Sequence, residues 1–193
     1  ERCGGFRRGH PLREVDHVGA ATAYDVARGE RRRGRRGWTI GHVPPAIDPL
    51  SPKNMALSPY DASYVCDQFG IDVDRPLICQ VSRFDPWKDP IGVIDAYRAV
   101  KQEVPDVQLA LVGSMATDDP EGWEFFNMTV EHAADDPDIK ILNNFNRVGA
   151  IEVNAFQAQS DVLIQKSTRE GFGLTVSEGL WKGFDVELGE GDC

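Results

Sequence analysis

The chain has 193 residues, a net charge of −10 and 41% apolar content, which suits one globular domain of ordinary size with a real core. No apolar run approaches the ~20 residues of a transmembrane helix, and the arginine-rich beginning has no apolar signal core behind it, so neither a membrane span nor a secretory leader is expected. Cys3, Cys66, Cys79 and Cys193 lack metal-ligand spacing and the four histidines form no HExxH pattern, which points to free thiols in a reducing cytoplasm and to no bound metal.

Residues 1–42 read as an atypical segment. Arg28, Arg31, Arg32, Arg33, Arg35 and Arg36 crowd a glycine-flanked stretch of an otherwise acidic chain. A basic arm of this kind can touch nucleic acid or an acidic surface. It lacks interleaved aromatics apart from Trp38, and a flexible, solvated arm explains the composition equally well.

A helix is expected over about Pro59 to Phe69, ending at Gly70. From Pro76 onward short β-branched runs alternate with helical ones: Leu77 to Ser82, then Ile91 to Val104; Val107 to Val112, then Trp123 to Ala134; Ile139 to Leu142, then Ala150 to Gln159; Asp161 to Gln165, then Leu174 to Lys182. Strands alternating with helices in this way predict an α/β fold, a Rossmann-like, doubly wound parallel sheet. Ile91, Ile94, Ala96 or Tyr97, and Val100 recur at helical spacing, so that helix packs on the sheet. Ligands of such sheets bind beyond the carboxyl ends of the strands, where Arg83, Gly113, Asn143 and Glu170 all fall.

Two of those loops carry chemistry. In Arg83-Phe84-Asp85-Pro86-Trp87-Lys88-Asp89-Pro90, Asp89 suits an N-cap and Pro90 the first helical position, so two cations sit in a strand-to-helix loop. They can neutralise a diphosphate, or simply pair with Asp85 and Asp89. Near the end, Glu170 and Glu178 stand eight positions apart with Gly171 and Gly173 between them. The glycines let backbone amides approach a ligand, and the helix from Leu174 points its first N–H groups at it. Asp136-Pro137-Asp138 superficially matches an acidic metal motif, but it lies in a turn-like run before a strand and reads as a loop.

In this order, the runs Val81 to Pro90, Leu111 to Met115, Gln165 to Glu178 and Trp181 to Gly183 resemble the nucleotide-binding, carboxyl-terminal domain of retaining GT-B glycosyltransferases. Within that group they are most similar to the trehalose-forming enzymes, the glycosyltransferring trehalose synthases and the trehalose phosphorylases. The resemblance covers residues 43–183 as a partial GT-B half. It implies transfer of a hexose, expected to be glucose, from a nucleotide sugar such as UDP-glucose or ADP-glucose to a sugar acceptor with retention, with trehalose as the expected product. The nucleotide sugar enters as substrate, and no cofactor is implied. By the resemblance, Arg83 and Lys88 serve the donor phosphates, together with the amides around Gly173, Leu174 and Thr175. Glu178 holds the ribose, Glu170 contacts the transferred sugar, Asn143 and its neighbours lie near the base, and Gly113 lines the donor site.

Neither residues 1–42 nor the acidic tail at 184–193 shares the resemblance, as in a truncated or rearranged reading of a longer gene. An amino-terminal domain is therefore expected to be missing, and the isolated chain to bind donor weakly and transfer poorly. The competing expectations are a non-catalytic nucleotide-binding module and a nucleic-acid-binding protein acting through the arginine arm.

Overall fold

The first three helices each begin where a short polar side chain precedes a proline. In a computed structural model, which describes residues 45–184 and 186–188, α1 (Pro59–Gln68) is capped by Ser58, α2 (Pro90–Glu103) by Asp89 and α3 (Pro120–Ala133) by Asp119. The capping oxygens accept from the N–H groups of Asp61, Gly92 and Gly122 at 3.1, 3.0 and 3.0 Å. Proline at the first position loses no hydrogen bond and arrives with its φ already helical. The same Asp-Pro signal that marks α2 starts α3 three residues before the expected Trp123. The arginine arm lies outside the described residues.

The strands are β1 (Leu77–Val81), β2 (Gln108–Gly113), β3 (Ile139–Asn143), β4 (Val162–Gln165) and β5 (Val186–Leu188), with α4 (Ala150–Gln159) and α5 (Leu174–Trp181) flanking β4 in sequence. They form one parallel sheet in the order β3-β2-β1-β4-β5. The chain winds from β1 out to β3, then returns through α4 to lay β4 on the other side of β1. Right-handed crossovers consequently put α2 and α3 on one face and α4 and α5 on the other. The strand order reverses between β1 and β4, and that is where a doubly wound sheet opens a crevice for ligand.

Alternation along β1 divides the core. Leu77, Cys79 and Val81 face α1 and α4, where they meet Ala62, Cys66, Ala155 and Phe156, whereas Ile78 faces Val93, Ile94 and Tyr97 of α2. Burying both faces explains why the strand is a nearly continuous apolar run. Gln80 breaks that run and is itself 1% exposed.

One detail departs from the sequence expectation. The segment at 184–193 was expected to be only an acidic tail, yet Val186–Leu188 pairs in parallel with Leu163–Gln165 as a fifth strand. Backbone pairing satisfies the open edge of β4 without requiring an apolar segment, and three residues are too few for a period-2 pattern to be read. At the end of β2, a Cβ added to Gly113 would lie 2.5 Å from the ring of Phe84 and 2.6 Å from the carbonyl oxygen of Ser82. Gly113→Ala is accordingly expected to destabilise the fold by about 1–3 kcal/mol, as overpacking does. Urea unfolding measures this, and an unchanged midpoint would show that the contact relaxes freely.

Candidate functional site

The carboxyl ends of β1, β2 and β4 surround a cleft, and the loop after β1 is pinned into it. The Lys88 N–H donates to Asp85 Oδ1 at 3.0 Å, the buried Gln80 amide donates to the Lys88 carbonyl at 2.7 Å, and the Thr168 N–H donates to the Trp87 carbonyl at 2.8 Å. Asp89 holds a left-handed φ of 44° while capping α2 and pairing with Lys166. A non-glycine residue in that region is uncommon, and here the surrounding bonds enforce it. The outcome is a fixed Lys88 ammonium, 2.6 Å from Glu170 Oε2. Arg83 differs: its side chain is 70% exposed and sits 2.9 Å from Asp85 Oδ2. Arg169 stacks over the ring of Trp87 at 4.7 Å.

Glu170 is the most tightly held acid of the cleft. Its Oε2 also accepts from Gln165 Nε2 at 2.8 Å, and Oε1 accepts from the Gly171 N–H at 2.9 Å. Burial pushes its carboxyl up, but the bond and charge of Lys88 and the N–H groups of Gly171 and Gly173 outweigh it and hold the pKa at about 2. The folded value lies below the ordinary 4.5, so this group stabilises the fold fully above that ordinary value and loses its contribution as pH falls toward 2. Glu170→Gln is expected to flatten the acid limb of the stability curve between those values. Parallel acid limbs for the two proteins, measured by denaturant melts at stepped pH, would contradict the pairing.

At the head of α5, Gly173 adopts φ 76° and no side chain caps the first turn. Thr175 Oγ1 donates to the Val81 carbonyl at 3.0 Å, docking the helix start on β1. The first amides of α5 are thereby aimed at the cleft with their partial positive charge unshared. Two adjoining hollows meet there. One of about 240 Å³ is lined by Lys88, Gln165, Glu170 and Gly173, and one of about 460 Å³ by Lys53, Arg83, Gly113, Asn144 and Val153. Leu174 and Thr175 line both.

The structure thus gathers Arg83, Lys88, Glu170, Gly113, Gly173, Leu174 and Thr175 around one cleft. Asn143 itself does not reach the cleft, although its neighbour does. It is 3% exposed, and its Oδ1 accepts from the N–H groups of Phe145 and Asn146 at 2.8 and 3.3 Å. An asparagine at a strand end caps the following turn, and Asn144, from the same expected segment, lines the hollow. Glu178 is also unlike a solvated acid: it is 5% exposed, with Lys53 Nζ at 2.9 Å and Gln157 Nε2 at 3.2 Å from Oε2. Sequence reasoning missed Lys53, Gln157 and Lys182. The signal was there, because a glutamate on the apolar face of α5 must find buried partners. Asp136 and Asp138 lie at the amino end of β3, away from the cleft, each 3.0 Å from Lys101 Nζ. Burial pushes the thiols of Cys66 and Cys79 up, the former to about 12, which keeps them unreactive.

Residues 66–183 match the family of glycosyl transferases, group 1. The chain belongs to that family. A trehalose synthase of Rubrobacter xylanophilus is 70% identical over 140 residues, covering 72% of this chain and 34% of its own length. A trehalose synthase of Thermococcus litoralis is 56% identical over the same span, again 72% and 34%. This group 1 glycosyl transferase chain therefore spans about a third of the length of the curated relatives it matches. Among solved structures, HepE of Anabaena in complex with UDP-glucose superposes with a TM-score of 0.55 at 25% identity, over 70% of this chain and 35% of that one. The architecture is accordingly one half of a GT-B fold. Among the described residues, no helix is long and apolar enough to cross a membrane.

Proposed function

We propose that this domain binds the nucleotide-sugar donor of a retaining hexosyltransferase, with glucose as the hexose and trehalose formation as the reaction. The carrying observation is the convergence of Lys88, Arg83 and the uncapped start of α5 on one cleft. A diphosphate is a dianion or more, and two cations with free helix amides are the donors that stabilise it most as it leaves. Identity of 70% to a trehalose synthase supports the choice of sugar, and a structural neighbour in complex with UDP-glucose supports the class of donor.

In the proposed step the bond from the anomeric carbon to the diphosphate oxygen breaks and a bond from that carbon to an acceptor hydroxyl oxygen forms on the same face. The acceptor proton passes to the departing phosphate. Arg83, Lys88 and the amides of Leu174 and Thr175 take up the charge that develops on the leaving group. Glu170, already ionised and immobilised by Lys88 and Gln165, orients hydroxyls of the transferred sugar, and Glu178 accepts from the ribose. The acceptor is bound by the remainder of the whole protein, and the cytoplasm is its proposed location. The test joins this chain to the portion of the Rubrobacter trehalose synthase that the match leaves uncovered, supplies UDP-glucose or ADP-glucose with glucose, and reads products by NMR. An α-configured disaccharide is expected. Nucleotide binding with no transfer would favour a non-catalytic nucleotide-binding module.

A further inference from the structure

Beneath the larger hollow lies a polar cluster that no part of the diphosphate chemistry uses. Lys53 stands in the loop before α1, and that loop is clipped from two helices. Asn154 of α4 donates to the carbonyls of Pro52 and Met55 at 3.0 and 2.8 Å, and Trp181 Nε1 at the end of α5 donates to the Asn54 carbonyl at 3.3 Å. Lys182 Nζ donates to the Lys53 carbonyl at 2.9 Å and to Gln157 Oε1 at 2.7 Å. Gln157, with no measurable exposure, passes its own Nε2 to Glu178 Oε2, where the Lys53 ammonium also lands.

Both contacts fall on one oxygen of Glu178, and Oε1 receives none of the hydrogen bonds among the described residues. A carboxylate held through one oxygen by two donors, with its second oxygen unbonded, has a fixed direction, which is what two vicinal hydroxyls need in an acceptor. The cluster is costly to assemble: burial, reinforced by Lys53 and opposed by Glu178, pushes the Lys182 ammonium down from 10.5 to about 8. Two lysines thus gather around a single buried acid.

We infer that Lys53, Gln157 and Lys182 are positioning residues that aim Glu178 at the ribose diol, so that this clamp makes the site select ribonucleotides over their deoxy counterparts. The inference rests on the donor-binding reading above. Lys53, one-third exposed at the rim of the hollow, is the member most open to substitution without a cavity, since its stem already borders solvent.

The test is calorimetry with three probes: UDP or ADP, whichever binds more tightly; its 2′,3′-dideoxy counterpart; and inorganic pyrophosphate, which reads the phosphate end alone. The unaltered chain is expected to favour the ribonucleotide by about tenfold or more, the size of a hydrogen bond to a charged group. Lys53→Met is expected to collapse that preference while leaving pyrophosphate affinity unchanged, and Lys53→Arg to restore most of it. Gln157→Leu, read by the same ratio, is expected to act in the same direction. Should Lys53→Met keep the full preference, or lose pyrophosphate along with it, the clamp is overturned and the donor reading survives. Absence of binding by any nucleotide would overturn both.

Discussion

Lys88→Ala is expected to weaken nucleoside diphosphate binding by about 1.5–3 kcal/mol, the range for losing a charged hydrogen-bond partner. The effect has two sources that act together. The substitution removes a cation from the diphosphate, and it leaves Glu170 as an uncompensated anion in the same hollow, since Lys88 is the ammonium 2.6 Å from its Oε2. Arg83→Ala is expected to fall at the lower end of that range or below it. Its side chain is 70% exposed, and a solvated cation contributes less than one fixed by its loop. Calorimetry on both variants checks the order, and equal losses would mean that loop anchoring does not set the contribution of Lys88.

Glu170→Gln is expected to lower transfer in the extended protein by about a hundredfold while changing affinity for the free nucleoside diphosphate little. Glutamine keeps the size and can still bond Gln165 and the Gly171 amide, but it cannot hold the Lys88 ammonium or accept as strongly from a sugar hydroxyl. Freed from its acid, Lys88 remains available to the phosphates, so binding is spared. Glu178→Ala is expected to weaken both quantities, because it removes the ribose acceptor. Rate and affinity thus separate the two acids. If both substitutions leave transfer intact, neither carboxylate belongs to the reaction.

Much of this site was legible before any coordinates. Strand and helix identities followed from apolar runs alternating with periodic ones, and Asp89-Pro90 marked α2 through local capping alone. The loop residues Arg83, Lys88, Glu170 and Gly173 followed from their place after strand ends, because a parallel sheet dictates where its loops converge. What stayed hidden was set by tertiary contact. Lys53 lies 125 positions before Glu178 in the chain, and nothing local announces that pair. Whether Asn143 or Asn144 faces the hollow depends on a turn that Asn143 itself caps. The strand Val186–Leu188 exists because β4 offers it an edge, a fact about the neighbour rather than about its own residues.

The cleft between the loop after β1 and the start of α5 is the proposed seat of a nucleoside diphosphate. The direct measurement is a titration of the chain with UDP and with ADP, followed by the backbone amide resonances of the whole protein. Saturating shifts centred on Lys88, Leu174 and Thr175, abolished by Lys88→Ala, are the predicted result. Shifts confined to the arginine segment at 28–36, or none at millimolar nucleotide, would contradict it.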